Sequence, residues 1–215
     1  MIYPGVFEGR VMAFFTDREV GLDVSGITGR SVYMPVQEHT GSIIELGASL
    51  APRVGDAVFT IRRDVLIGVK TADCVPVLLH DPVNMVMGAV HAGWRGTAQG
   101  ILRLTIQAMS ERYSTRPSDI LLAIGPAIRW CCYEVGRDVL DAVVAATGEG
   151  DYHKVRDGKL CLDLPEANLR QAISVGVMNH HVWISDECTW CHPEKYYSYR
   201  YDQATGRQGG FIGMP

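Results

Sequence analysis

Two apolar runs separated by a short polar loop constrain the fold more than any other part of this sequence. Residues 75–80 are Val-Pro-Val-Leu-Leu-His, and residues 85–90 are Met-Val-Met-Gly-Ala-Val. The four residues between them, Asp-Pro-Val-Asn, are typical of a turn. Because both runs are apolar on both faces, they predict an antiparallel hairpin of central strands covered by helices.

The hairpin also predicts which side chains face one another. If residues 81–84 form the loop, His80 pairs with Met85, and Cys74 lies directly opposite His91. Side chains opposed in this way have Cβ atoms about 5 Å apart. A thiol and an imidazole at that separation are suited to nucleophilic catalysis or to sharing one metal ion.

The segment that begins at His91 adds a second signal. Residues 91–96 are His-Ala-Gly-Trp-Arg-Gly, and an amphipathic helical pattern follows over residues 97–113. Glycine allows the backbone to approach a ligand closely, and the free N–H groups of a helix start favour an anion. Arg95 adds a fork of charged donors. An anion-binding pocket beside the Cys74–His91 pair is therefore predicted.

The rest of the chain mixes strands and helices, and predicts an α+β (mixed α/β) fold. We expect one domain over residues 1–215, with mixed β-sheet layers covered by helices. Asp163 is expected to cap the last helix, which Gly176 would end, and residues 21–29 to form a polar connection. Further strands are predicted at 11–15, 31–36, 42–46, 57–61, 65–69, 120–124, 182–185 and 208–214, a helix at 137–146 and a hairpin at 152–162.

Composition excludes several classes of protein. The 215 residues are 47% hydrophobic and carry a formal net charge of −4, which gives no basic footprint for nucleic acid. No apolar run approaches the roughly 20 residues of a membrane span, and the N-terminus lacks the pattern of a signal peptide. We therefore expect a cytoplasmic protein with no nucleic-acid or membrane partner; its oligomeric state is left open.

The six cysteines are expected to be reduced thiols or metal ligands rather than disulfides. Cys188 and Cys191 form a Cys-x-x-Cys-His string, but a haem-attachment role is discounted because no export signal is visible. No second pair is recognised that would complete a zinc knuckle. Cys131, Cys132 and Cys161 are interpreted as buried apolar side chains.

Several strings together resemble one known family. They include Gln-Glu-His-Thr-Gly at 37–41, Thr-Ala-Asp-Cys-Val-Pro at 71–76 and His-Ala-Gly-Trp-Arg-Gly at 91–96, with further matches at 125–128, 133–136, 188–189, 198–200 and 206–207. On these strings the chain is identified as a member of the YfiH family, long described as multicopper polyphenol oxidase or laccase-like. Its members are now described as purine nucleoside phosphorylases with adenosine deaminase activity. The resemblance implies a YfiH-like fold.

The resemblance also implies a metal site. The family's ligands map onto His39, Cys74 and His91, and the expected metal is zinc, with copper as the alternative. Two nitrogens, one sulfur and an open position form the pattern of a catalytic zinc site. Without the resemblance, His39 would be interpreted as a lone surface histidine.

The expected catalytic residues are Cys74, His91 and Asp73, the last as an orienting or proton-transferring carboxylate. Because adjacent strand residues face opposite sides, Asp73 could equally point away from the metal. Arg95 and Arg200 are expected to hold phosphate or another anionic group, and Gln37 to contact the substrate. Alternatives are an ion pair for Arg95 and stacking on tyrosine rings for Arg200.

The resemblance predicts a zinc-dependent purine nucleoside phosphorylase acting on inosine and adenosine, with methylthioadenosine and adenosine deamination as further expectations. Its partners would be a purine nucleoside and phosphate. The main alternative is a metal-free Cys–His hydrolase or deamidase with Cys74 as nucleophile and His91 as base. A copper-dependent polyphenol oxidase is disfavoured by only seven histidines and no His-x-His string. A non-catalytic binding protein also stays open, because the region before Gln37 departs from the family pattern.

Overall fold

The computed structural model describes residues 1–215 and contains twelve strands and five α-helices. The strands are β1 Met12–Phe15, β2 Ser31–Tyr33, β3 Ile43–Glu45, β4 Ala57–Thr60, β5 Val65–Thr71, β6 Val75–Asp81, β7 Val86–Ala92, β8 Leu121–Ile124, β9 His153–Arg156, β10 Lys159–Leu162, β11 Val182–Ile184 and β12 Gln208–Gly213. The helices are α1 Ser25–Thr28, α2 Trp94–Ala98, α3 Ile101–Tyr113, α4 Arg137–Thr147 and α5 Leu164–Ser174.

Ten of the strands form two sheets. The first has six strands in the order β11-β8-β6-β7-β4-β3, with β6 and β7 antiparallel at its centre. The pairs β3–β4 and β8–β11 are parallel, so this sheet is mixed. The second has four strands in the order β1-β12-β5-β2, and β9 and β10 form a separate hairpin. This is the mixed α/β architecture that the sequence predicts.

The two sheets and the helices form three layers around two main cores. On one face of β6, Val75, Val77 and Leu79 pack with residues of α3, α4 and α5. On the other face, Leu78 packs with residues of the four-stranded sheet such as Ile67. Every residue of β6 and β7 is therefore buried. Helices cover one face of this sheet and the second sheet covers the other, in agreement with the expected sheet layers covered by helices.

The central hairpin differs from its predicted register by one loop position. Asp81 pairs with Val86 and Pro76 with His91, so the loop is 82–85 rather than 81–84. The Asp81 carboxylate accepts the backbone N–H groups of Val83 and Asn84, which fixes the turn after Asp81. Each residue of β6 therefore pairs two positions further along β7 than predicted. A shift by an even number of residues leaves every side chain on its predicted face. Cys74 is diagonal to His91 rather than opposite it.

Most other predicted elements are present near their predicted positions. The predicted helix 97–113 is two helices, because Gly100 adopts a left-handed φ of 71° between α2 and α3. The Asp163 side chain caps α5 by accepting the Glu166 N–H, as predicted. The predicted connection 21–29 contains the short α1. One domain over residues 1–215 stays a prediction.

None of the helices has the length and apolar character needed to cross a membrane.

Candidate active site and metal centre

His39, Cys74 and His91 converge although they come from three different parts of the fold. His39 lies in the loop between β2 and β3, Cys74 in the bend between β5 and β6, and His91 within β7. The Cys74 Sγ is 3.8 Å from His39 Nε2, and the two imidazole rings meet edge to face with centroids 4.8 Å apart. One candidate ligand atom from each residue lies within 4.8 Å of the others. The structure thus assembles the three residues that the resemblance implied.

Asp56 is the buried hub of this arrangement. Its side chain is 1% exposed, and its Oδ1 accepts His91 Nδ1–H at 2.8 Å and the His39 backbone N–H at 3.1 Å. Its Oδ2 accepts the N–H and the hydroxyl of Thr40 at 2.6 and 3.0 Å. With Nδ1 held by a carboxylate, the Nε2 of His91 is turned toward Cys74 and His39 and is available to bind a metal.

The charges of this group favour a thiolate and an imidazolium. Burial raises the pKa of Cys74, but the neighbouring charge of His91 and the hydrogen bonds of His39 and His91 outweigh it and lower that pKa to about 6. Burial lowers the pKa of His91, yet the Cys74 thiolate and the Asp56 carboxylate raise it to about 9. Hydrogen bonds from His91 and Thr40 outweigh burial and hold the pKa of Asp56 below its usual range. At neutral pH, Cys74 is therefore a reactive thiolate.

The backbone around the three side chains is shaped for close approach. His39 and Asp73 adopt left-handed φ values of 59° and 85°, which is uncommon for residues with a Cβ. A Cβ added at Gly93 would lie 2.9 Å from the Cys74 Sγ and 3.1 Å from the His39 Cδ2. Glycine at this position therefore leaves the space that the three side chains need. Such left-handed conformations cluster at functional sites.

Asp73 does not point toward the three candidate ligands. Its Oδ1 accepts the Thr189 hydroxyl at 2.6 Å, and its Oδ2 accepts the Arg200 backbone N–H at 2.7 Å. Asp73 is 8% exposed, and Thr189 is fully buried. The carboxylate thus ties the bend that carries Cys74 to the segment between β11 and β12. This geometry supports a positioning role rather than a direct catalytic one.

A cavity of about 870 Å³ opens beside the three side chains. Four cationic residues lie along its wall: Arg95, Arg200, Arg207 and Lys70. Arg95 is exposed and lies over the Trp94 ring, with no carboxylate partner. These charges suit an anion, and the anion-binding pocket expected beside residues 91–96 stays a prediction.

Two predicted substrate contacts are partly used within the protein. The Arg200 guanidinium lies over the Tyr133 ring, 5.2 Å from its centroid, and donates to the Glu134 carbonyl oxygen at 3.1 Å. The Gln37 amide makes two 2.8 Å hydrogen bonds with the backbone of Lys70. Both residues line the cavity, but Gln37 chiefly holds the loop that carries His39 against β5.

Part of the remaining wall of the cavity is apolar and aromatic. It includes Trp94, Ile128, Tyr133, Leu164 and Tyr199. Burial raises the pKa of the Tyr133 hydroxyl to about 12, so it stays protonated at neutral pH and can donate a hydrogen bond. A flat, partly polar ring fits such a surface.

Sequence reasoning did not find four residues of the site. Asp56 is a single acid before an apolar strand, and no local pattern marks it as the partner of His91. Lys70 is the penultimate residue of β5, and Arg207 directly precedes β12 in the motif at 206–207, to which no role was assigned. Tyr133 likewise lies in the motif at 133–136, to which no role was assigned. Only the folded chain brings Lys70, Arg207 and Tyr133 to the cavity and Asp56 to His91.

Comparison with known proteins decides the family. A family model described as multi-copper polyphenol oxidoreductase laccase matches residues 15–215. The chain belongs to this family. In the YfiH family, the purine nucleoside phosphorylase YlmD of Geobacillus stearothermophilus is 36% identical over 191 residues, covering 87% of this chain and 69% of that protein. The purine nucleoside phosphorylase YfiH of Escherichia coli is 32% identical over 180 residues, covering 83% and 72%.

Coverage is lower for the YlmD of Bacillus subtilis, which is 36% identical over 167 residues, or 76% of this chain and 60% of that protein. The chain thus matches less than two thirds of that relative.

Solved structures confirm the fold of this YfiH family member. The crystal structure of YlmD from Geobacillus stearothermophilus matches with a TM-score of 0.87 and 30% identity, covering 97% of this chain and 93% of that one. The YfiH structure from Bacillus licheniformis also gives a TM-score of 0.87, at 27% identity. The YfiH-like fold predicted from sequence is therefore confirmed, and relatives that share it bear the name purine nucleoside phosphorylase.

Proposed function

We propose that this YfiH family member is a zinc-dependent purine nucleoside phosphorylase that takes inosine or adenosine, or methylthioadenosine, together with phosphate. The observation that carries the proposal is the convergence of His39, Cys74 and His91 at the wall of a cavity lined by cations and aromatic rings. The names of the relatives supply the reaction, and the geometry supplies a site of suitable chemistry.

The donor set fits zinc. One thiolate and two imidazoles are common zinc ligands, and three protein ligands leave a position open for catalysis. Asp56 fixes the tautomer of His91, as carboxylates do for metal-binding histidines. Copper prefers a similar set with an added axial methionine in electron-transfer sites, but no methionine lines this cavity. A bound zinc ion would supply a Lewis acid that stabilises developing negative charge.

The side chains around the cavity suit the two substrates of phosphorolysis. Arg95, Arg207 and Lys70 offer charged donors for phosphate, whose oxygen attacks the anomeric carbon as the bond to the purine breaks. The Trp94 and Tyr133 side chains offer surfaces on which the purine can stack. The protonated Tyr133 hydroxyl can donate a hydrogen bond to the departing base. Each group thus acts by binding and orientation.

The direct test incubates zinc-loaded protein with inosine, and separately with adenosine, with and without phosphate, and separates the products chromatographically. We expect phosphate-dependent release of free base that is lost in Cys74→Ala and His91→Ala. Cys161→Ala and His180→Ala are matched controls, since neither residue lines the cavity. The adenosine arm also reports inosine, the product of the deamination expected from the resemblance. Absence of any product from the zinc-loaded protein would refute the proposal.

A second candidate function rests on one specific observation. Cys74, His91 and Asp56 are linked in the order of a nucleophile, a base and an orienting carboxylate. The lowered pKa of Cys74 gives the thiolate that a metal-free Cys–His hydrolase or deamidase needs. The His39→Ala variant separates the two candidates, because His39 is a ligand in the first and is dispensable in the second. Activity that survives chelation and His39→Ala, but is abolished by alkylation of Cys74, would favour the hydrolase.

A further inference from the structure

Four cysteines from two distant parts of the chain meet outside the cavity. Cys131 and Cys132 lie in the loop after β8, and Cys188 and Cys191 lie between β11 and β12. Their four sulfur atoms all lie within 4.8 Å of one another. The Cys191 Sγ is 3.6 Å from that of Cys131 and 3.3 Å from that of Cys132. The second pair that sequence analysis did not recognise is thus supplied by Cys131 and Cys132, which are partly exposed rather than buried.

The spacing of these sulfurs matches a metal tetrahedron better than a disulfide. Four sulfurs about 2.3 Å from a central zinc ion lie about 3.8 Å from one another. The sulfur atoms of a disulfide are about 2.05 Å apart, well below both measured separations. All four thiols are free. The two measured separations would have to widen by only about 0.2–0.5 Å to reach the spacing of such a tetrahedron.

The backbone around Cys188 is arranged to stabilise a thiolate. The Arg129 N–H points at the Cys188 Sγ at 3.4 Å. The backbone N–H groups of Cys191 and Trp190 also donate hydrogen bonds to this sulfur. Backbone N–H groups that converge on the first cysteine of a Cys-x-x-Cys turn offset the negative charge that metal-bound thiolates carry.

The two loops are also joined by backbone contacts, so the cluster is built into the fold. Ala127 and Cys188 form a parallel bridge, and the Thr189 N–H donates to the Ala127 carbonyl oxygen at 3.1 Å. The Arg156 guanidinium donates to the Cys131 carbonyl oxygen at 2.9 Å. Thr189 lies inside the Cys-x-x-Cys turn, and its hydroxyl donates a hydrogen bond to the carboxylate of Asp73, the residue that precedes Cys74. An ion at the cluster would therefore fasten the loop of Tyr133 to the segment of Arg200.

We propose that Cys131, Cys132, Cys188 and Cys191 bind one structural zinc ion, separate from the metal of the candidate active site. Four soft sulfur ligands and no open position are the donor set of structural zinc sites. The ion would replace four thiol protons and close a loop between residues 132 and 188, which stabilises the folded chain relative to the unfolded chain. This proposal does not depend on the phosphorylase assignment.

The test uses the full-length Cys74→Ala variant, in which the cavity site has lost its thiolate. The variant is purified under reducing conditions, loaded with zinc and analysed for metal content and by X-ray absorption at the zinc edge. We expect one tightly held zinc per chain with four sulfur neighbours at about 2.3 Å. The wild type should hold two, Cys74→Ala with Cys191→Ser should lose the four-sulfur signal, and Cys161→Ser should change nothing.

Two results would overturn the proposal. In Cys74→Ala, zinc bound only by nitrogen and oxygen would place the metal on the remaining histidines. Absence of bound zinc would also overturn it. Free reaction of the four cysteines with a thiol reagent would then show that they are free thiols, and a protein mass lower by two hydrogens would show that two of them form a disulfide. Because Cys74→Ala keeps all four cysteines, these outcomes are readable even if Cys191→Ser fails to fold. Loss of phosphorolysis alone would leave the proposal standing.

Discussion

Asp56→Asn is the change that most directly tests how the proposed zinc site is built. The substitution keeps the size of the side chain but removes its charge and replaces one oxygen by an NH2 group. Four donors now surround the carboxylate: His91 Nδ1–H, the His39 N–H, and the N–H and hydroxyl of Thr40. An amide oxygen can accept only the two donors on one side. The NH2 group must then face the Thr40 N–H, which loses its partner.

The structure allows the size of the effect to be worked out. Loss of a carboxylate that orients a metal-bound histidine weakens metal binding by about 10- to 100-fold. This corresponds to about 1.4–2.8 kcal/mol of zinc-binding free energy. Thr40 is exposed, so water can replace the carboxylate as the partner of its N–H, and the substitution should lower folding stability by about 0.5–1.5 kcal/mol. We expect the variant to fold, to bind zinc more weakly and to retain the shape of the cavity.

Competition with a chromophoric chelator measures the zinc affinity, and circular dichroism shows that the variant is folded. Asp64→Asn is the matched control, because Asp64 forms a surface ion pair with Arg62 and its side chain is 69% exposed. Exposed pairs contribute about 0–1 kcal/mol, so this control should bind zinc as the wild type does. A folded Asp56→Asn protein with unchanged zinc affinity would refute the idea that Asp56 orients His91 for the metal.

Three further predictions concern the neighbours of this centre. In metal-free protein, alkylation of Cys74 should rise with pH about a midpoint near the pKa of about 6, because the thiolate is the reacting form; His91→Ala should move the midpoint upward, and zinc should protect the thiol. Gly93→Ala should weaken zinc binding by about 5- to 150-fold, the equivalent of about 1–3 kcal/mol of overpacking, as measured by chelator competition. Thr189→Val should lower the free energy of unfolding in urea by about 1.5–3 kcal/mol, since it removes the 2.6 Å hydrogen bond to the Asp73 carboxylate.

Each of these three predictions would be contradicted by a specific result. An alkylation midpoint near 8.5, the ordinary value of a thiol, would show that His91 does not stabilise the Cys74 thiolate. For the glycine, Gly26→Ala is the control, because a Cβ there meets nothing within 4 Å; equal zinc affinity in both glycine variants would remove the steric argument. If the Thr189→Val protein unfolds at the same urea concentration as the wild type, the hydrogen bond from Thr189 does not stabilise the fold, and the backbone N–H of Arg200 alone holds Asp73.

Much of the fold could be predicted because its signals are local. The hairpin of β9 and β10 lies within the predicted span 152–162 because the Asp157-Gly158 turn joins neighbouring strands, and Asp163 caps α5 through the N–H of Glu166, three residues away. Which strands form the second sheet could not be predicted, because an apolar strand face does not show whether a helix or another sheet covers it. The strand β5 has the same apolar character as β6 but belongs to the other sheet.

The candidate site likewise has residues that the sequence could predict and residues that it could not. Cys74 and His91 could be paired from the sequence, since hairpin geometry links them, and the two-residue change in register kept both on one face. His39 needed the family resemblance, and Asp56 had no signal at all. Contacts between distant parts of the chain were not predictable either: the pairing of β8 with β11 places Cys131 and Cys132 near Cys188 and Cys191, and no local pattern shows that pairing.

The two cysteine-containing centres are joined through one short path. Thr189, within the Cys188–Cys191 turn, donates to Asp73, and Asp73 is bonded directly to Cys74. The same carboxylate accepts the backbone N–H of Arg200, whose guanidinium lies over Tyr133 at the cavity wall. Because Asp73 has a left-handed backbone, the bend that aims Cys74 at His91 depends on contacts made outside the bend. Order in the C-terminal segment is therefore a condition for the alignment of the thiolate, and a metal bound at the four cysteines would act on the active site through this carboxylate.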